Sequence, residues 1–160
     1  MIFTEKQTYT RGWMLILLLF LISLVALPWI VYFQGIETDI VGAVIGSSIG
    51  FLLSVFFVTL SLHSRIDATG VHYQYKPIHR KERTIAWSEI QTVEVKTYRP
   101  LRDYGGWGLR FRGFDSKDIL LNVSGRTGIY LLTKDGRKIM LGTQKAEEAK
   151  KVLEHFGHKA

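Results

Sequence analysis

Two long stretches free of charge constrain this chain more than anything else in it. From Trp13 to Phe33 the only residues outside the apolar set are Ser23 and Pro28. From Ile40 to Leu62 there are small polar residues and glycines, and again no charge. The runs are 21 and 23 residues long. At about 1.5 Å per residue each spans roughly the hydrocarbon thickness of a bilayer. A core helix of a soluble protein rarely stays uncharged for so long. The expectation is a transmembrane helical hairpin, helices 13–33 and 40–62, joined by a six-residue polar turn. Its first run is too long for a signal peptide and no small-x-small cleavage site follows, so it reads as an uncleaved anchor.

Charge orients the hairpin. Lys6 and Arg11 precede it and Arg65 follows it, while the turn carries Glu37 and Asp39 and no base. Positively charged flanks stay on the non-translocated side. Both termini are therefore expected to be cytoplasmic, in a multi-pass protein of the inner (cytoplasmic) membrane. Trp13 on one side and Trp29, Tyr32 and Phe33 on the other stand where aromatic rings prefer the interface. Residues 1–12 read as a polar cytoplasmic tail. Thr38 and Asp39 are suited to cap the second helix.

In the second run Gly42, Gly46 and Gly50 recur every four residues, on one helical face. Such a face lets another helix approach closely, which matters where packing replaces the hydrophobic drive. It fits packing within the hairpin, a homo-oligomer, or docking on a larger membrane complex.

After Leu62 the pattern changes. Residues 64–160 carry 19 of the 21 Lys and Arg residues and are numerous enough for one domain with its own core. Apolar residues alternate through Arg65–Ala68, Val71–Tyr75, Thr84–Trp87, Thr92–Tyr98, Leu109–Arg112, Ile119–Val123, Gly128–Thr133 and Arg137–Leu141, which predicts seven or eight short antiparallel strands. Lys134-Asp135-Gly136 marks the clearest hairpin turn. The helical period then returns, with Ala149, Val152, Leu153 and Phe156 forming one apolar stripe. A strongly bent sheet or barrel, closed at one end by that helix, satisfies the pattern.

Three stretches here resemble the bacterial pleckstrin-homology-like (PH-like) domains of small membrane proteins. They are Ile85-Ala86-Trp87-Ser88-Glu89-Ile90 with Val93 and Val95, Tyr104-Gly105-Gly106-Trp107-Gly108-Leu109-Arg110, and Gly128 through Thr143 leading into the helix. A helical hairpin ahead of the domain is similar to that group too. The resemblance implies a barrel of about seven strands with a C-terminal capping helix.

The chain has no cysteine, which excludes disulfides, thiolate metal sites and cysteine nucleophiles. Its five histidines are scattered, no serine sits in a nucleophile elbow, and no Gly-Lys-Ser/Thr follows the glycines of 105–108. No catalytic residue, metal or cofactor is therefore assigned, and the chain reads as non-enzymatic. Its candidate contact residues are basic. Lys76, Arg80, Lys81 and Arg83 cluster in one loop, and Arg110 and Arg112 share one strand face. Bases near a membrane attract anionic headgroups. The composition also suits nucleic acid, but no motif for it is present and none is expected as a partner. The functional expectation is a PH-like binding or scaffold domain at the cytoplasmic membrane face, for protein or anionic-lipid contacts. The alternative is an accessory subunit docking through the glycine face.

Overall fold

The computed structural model describes residues 2–8, 14–36, 40–112 and 117–156. Trp13, the cap at Thr38 and Asp39, and the acid Glu37 lie outside them, as does the side chain of Arg112. The protein is α+β, with four helices and nine strands among these residues. The chain divides into two compact units. One comprises Thr8–Leu60; the other comprises Met1–Gln7 with Ser61–Ala160.

The first unit holds α1 (Met14–Phe33) and α2 (Ile40–Thr59), which pack on each other. Its surface is apolar. Ile16, Leu19, Phe20 and Ile22 of α1 and Ile45, Ile49, Phe51 and Leu52 of α2 are all exposed. The serine hydroxyls of both helices find partners on helix carbonyls. Ser23 Oγ donates to Phe20 O (2.6 Å), Ser48 Oγ to Val44 O (2.7 Å) and Ser54 Oγ to Gly50 O (2.7 Å), each within its own helix. Ser47 Oγ crosses to Val25 O of α1 at 2.9 Å. Among the described residues one helix, Ile40–Thr59, is long and apolar enough to cross a membrane by length and composition. The apolar part of the first, Leu18–Phe33, is shorter. The expectation of two full spans is thus met by one helix; in α1 the described apolar part falls short of the required length.

The second unit holds two sheets. Sheet A has the order β1-β2-β3-β4, with β1 Phe3–Thr8, β2 Ser61–Asp67, β3 Gly70–Lys76 and β4 Arg83–Ala86. A single 3-10 turn, Trp87–Glu89, carries the chain into sheet B. Sheet B has the order β5-β8-β9-β7-β6, with β5 Ile90–Thr97, β6 Gly108–Arg112, β7 Asp118–Asn122, β8 Thr127–Thr133 and β9 Lys138–Gly142. The sheets do not close into a barrel. The strand expected at Ile119–Val123 is present as β7 and pairs parallel to β9. The β8–β9 hairpin lies between β5 and β7, which brings β9 beside β7. The N-terminal residues expected as a tail instead form β1. Helix α3 (Pro100–Tyr104) is a further element, with proline in its first turn, where no N–H is needed.

Helix α4 (Ala146–Phe156) buries the expected stripe of Ala149, Val152, Leu153 and Phe156. It contacts β2 of sheet A and β5 and β8 of sheet B. The Phe156 ring lies 6.0 Å from that of Trp87. Each buried side chain of this size contributes about 1.5–3 kcal/mol, so α4 holds both sheets to one core.

Candidate functional site

The outer face of sheet A gathers one cluster of polar groups in the second unit. In β2 and β3 the register places His63 opposite Gln74 and Arg65 opposite His72. Alternation puts these four on one side of the sheet while Leu62, Ile66, Tyr73 and Tyr75 are buried on the other. Thr84 of β4 stands opposite His72.

A dense hydrogen-bonded network occupies the β2–β3 turn. Asp67 Oδ1 accepts from Thr69 N (2.8 Å) and Thr69 Oγ1 (2.5 Å), a side-chain turn that starts the hairpin. His72 Nε2 lies 3.1 Å from Asp67 Oδ1, and His72 Nδ1 lies 2.8 Å from Thr84 Oγ1. Arg65 bridges Asp67 Oδ2 (2.9 Å) and Glu82 Oε2 (3.1 Å). The Thr69 hydroxyl, with its backbone N–H and His72, holds the Asp67 carboxyl well below the usual carboxylate range, against the opposing effect of burial. No sequence motif flagged this cluster, although Asp67-Ala68-Thr69-Gly70 carries the turn signature.

The basic loop follows β3. Lys76, Arg80, Lys81 and Arg83 are all exposed, and among the described residues none has an acidic partner. The loop's own acid, Glu82, is engaged by Arg65. Held from below, the loop has a defined backbone. Gln74 Nε2 donates to His79 O (3.1 Å) and Arg80 O (3.2 Å). His79 N donates to Tyr75 O (2.7 Å), and Tyr75 N donates to His79 Nδ1 (3.3 Å). The His79 ring is buried against Tyr73, with ring centroids 5.9 Å apart. Ile78 projects outward and is 46% exposed.

This burial has a pH signature. Burial first, and then the Arg83 charge, hold the His79 imidazole below its ordinary value of 6.5. His63 moves the same way, by burial and by Lys76 and Lys6, partly opposed by Glu82. A histidine depressed in the fold binds protons more readily when unfolded. Its stabilising effect is complete above about pH 6.5 and is lost as pH falls through the folded value. Protonation also removes the acceptor that Nδ1 offers to Tyr75 N. The thermal midpoint of the second unit is therefore expected to fall between pH 7.5 and 5.5, and to fall less in His63→Gln/His79→Gln. Equal slopes in the two proteins would contradict the assignment.

The remaining sequence candidates are dispersed. Arg110 lies on β6, the edge strand of sheet B, and donates from Nε to Trp107 O at 3.1 Å. Its guanidinium covers Gly106, so it does not join the loop cluster on sheet A. Arg112 pairs through its backbone with Asp118. The glycines before β6 make a bend: Gly105 ends α3 in the left-handed region, and Gly106 and Gly108 also have positive φ. In the first unit, a Cβ on Gly46 would sit 3.2 Å from Pro28 Cγ, and one on Gly50 would sit 3.1 Å from the Leu24 backbone. These glycines face α1. Gly42 lies one turn earlier on α2.

Residues 3–8 were not singled out by their sequence, yet they tie the sheets together. Glu5 is buried, accepting from Thr143 Oγ1 (2.6 Å) and Gln144 N (2.8 Å). Gln7 Nε2 donates to Gly142 O at 2.7 Å. Among the described residues no group of three or more His, Asp or Glu side chains is placed to hold a metal ion. No family model matches the chain, and no curated protein matches it.

Proposed function

We propose that this is an integral membrane protein in which the α1–α2 hairpin anchors a PH-like, non-enzymatic binding module at the cytoplasmic face. The observation that carries the reading is the surface of the first unit. Its outward residues are large and apolar, and its hydroxyls are turned onto helix carbonyls, as a lipid environment requires. An apolar surface of this kind on a water-soluble hairpin would drive aggregation. The PH-like reading is supported by two successive sheets followed by a helix packed on both. The contact surface is assigned to the β3–β4 loop at one end of sheet A, where exposed bases cluster on a backbone pinned by Gln74 and His79. Docking on a larger complex through Gly46 and Gly50 is less well supported, because α1 already lies against them.

Extraction of native membranes with alkaline carbonate tests the anchor. The full-length protein is expected to stay in the membrane pellet. Release into the supernatant would overturn the reading.

A further inference from the structure

Register fixes where the loop between β3 and β4 lies relative to the point at which the chain enters sheet A. Helix α2 ends at Thr59 and β2 begins at Ser61. Ser61 pairs with Lys76, the last residue of β3. The loop after Lys76 therefore lies at the end of sheet A where the chain arrives from α2. At that end it presents an exposed isoleucine, Ile78, beside the bases Lys76, Arg80, Lys81 and Arg83. Two further observations set it apart from an ordinary solvated loop. Its backbone is pinned by Gln74 and by buried His79, so little ordering is needed on contact. Its single acid, Glu82, is drawn to Arg65 and pairs with none of the four bases.

We infer that this loop is a second, peripheral membrane contact: the four bases engage the anionic phospholipid headgroups of the leaflet from which α2 emerges, and Ile78 enters the interfacial region. The inference rests on the membrane-anchored reading above. Its consequence is that the module is held against the leaflet at two points, the covalent exit from α2 and the loop. Anionic lipid content then sets how tightly. Each base near an anionic surface strengthens the contact by about fivefold, and the effect weakens as salt screens it.

The chain's lack of cysteine makes the test direct. The full-length protein carrying Ile78→Cys is labelled with an environment-sensitive fluorophore and reconstituted in vesicles. One set is pure phosphatidylcholine; the other contains phosphatidylglycerol. A parallel label at Lys134, in the β8–β9 turn, serves as reference. The expected result is a blue shift at position 78 in anionic vesicles only, reversed by high salt. Lys76→Gln/Arg80→Gln/Lys81→Gln/Arg83→Gln should abolish it. A label at 78 that stays aqueous in both lipids, or shifts equally in both, overturns the inference. So does a shift that requires an added acidic protein. Carbonate resistance of the same samples separates the outcomes: if it persists, only the loop contact fails; if it is lost, the anchoring reading fails with it.

Discussion

Gly70→Val is expected to destabilise the second unit severely. Gly70 opens β3 at a φ of +152°, and a Cβ there would lie 2.1 Å from Ile85 O and 2.9 Å from Ala86 Cα. Both are backbone atoms of β4, paired to β3 through Gly70–Ala86 and Val71–Ile85. No rotamer change relieves such an overlap; β4 itself must move. Ile85 and Trp87 are buried directly beyond it, and Trp87 Nε1 donates to Asp67 O at 2.9 Å. Moving β4 therefore opens the core and the Asp67 turn together. The cost is about 3–5 kcal/mol, a large share of the stability of a small domain. Gly136→Ala is the comparison: its φ is +85°, but no atom lies within 4 Å of the added Cβ. Only backbone strain remains there, about 1 kcal/mol. Limited proteolysis of the full-length protein distinguishes the two. Rapid cleavage within 61–142 is expected for Gly70→Val and near-normal resistance for Gly136→Ala. Equal resistance would contradict the close approach of β4.

Gly50→Leu is expected to separate α1 from α2. A Cβ at Gly50 meets the Leu24 carbonyl carbon and oxygen at 3.1 and 3.2 Å, and a leucine extends well past them. The same separation breaks the Ser47–Val25 hydrogen bond. In lipid, close packing and such bonds are what hold helices together. A short crosslinker between Val25→Cys and Ser47→Cys should capture the hairpin in the otherwise unchanged protein. Adding Gly50→Leu should reduce the crosslinked fraction at least severalfold. Undiminished crosslinking would mean that the glycine face is turned elsewhere, and docking on another protein would gain support.

Much of the local structure was legible from period. The uncharged run of α2, the stripe on α4 and the β8–β9 turn at Lys134-Asp135-Gly136 each announce themselves within a dozen residues. What escaped was long-range. β1 alternates properly, but its buried face carries Glu5 and Gln7 beside Phe3, and their partners are Thr143, Gln144 and Gly142. A strand whose inner side is polar is invisible until those partners are in place. The parallel β7–β9 pair escaped for the same reason: register between distant strands leaves no periodic trace. Helix α3 escaped because it is only five residues long, too short to show a helical period.

The candidate site divides along the same line. The basic loop is contiguous, so composition revealed Lys76, Arg80, Lys81 and Arg83. Arg110 has the same chemistry on another sheet, already bonded to Trp107. The Asp67–His72–Thr84 network is assembled by register across three strands, and only its Asp67–Thr69 turn had a local signature. The pinning of the loop by Gln74 and His79 was equally hidden, because it depends on which face of β3 each residue occupies.

The proposed topology, a membrane-anchored helical hairpin with its turn outside and the module on the cytoplasmic face, is tested most directly by cysteine accessibility. The chain has no native cysteine, so single substitutions at Gln34, beside the helix turn, and at Lys134, in the module, report unambiguously. A membrane-impermeant maleimide should label Gln34→Cys in intact cells and Lys134→Cys only after the membrane is opened. Labelling of Lys134→Cys in intact cells, or protection of both sites until permeabilisation, would contradict the account.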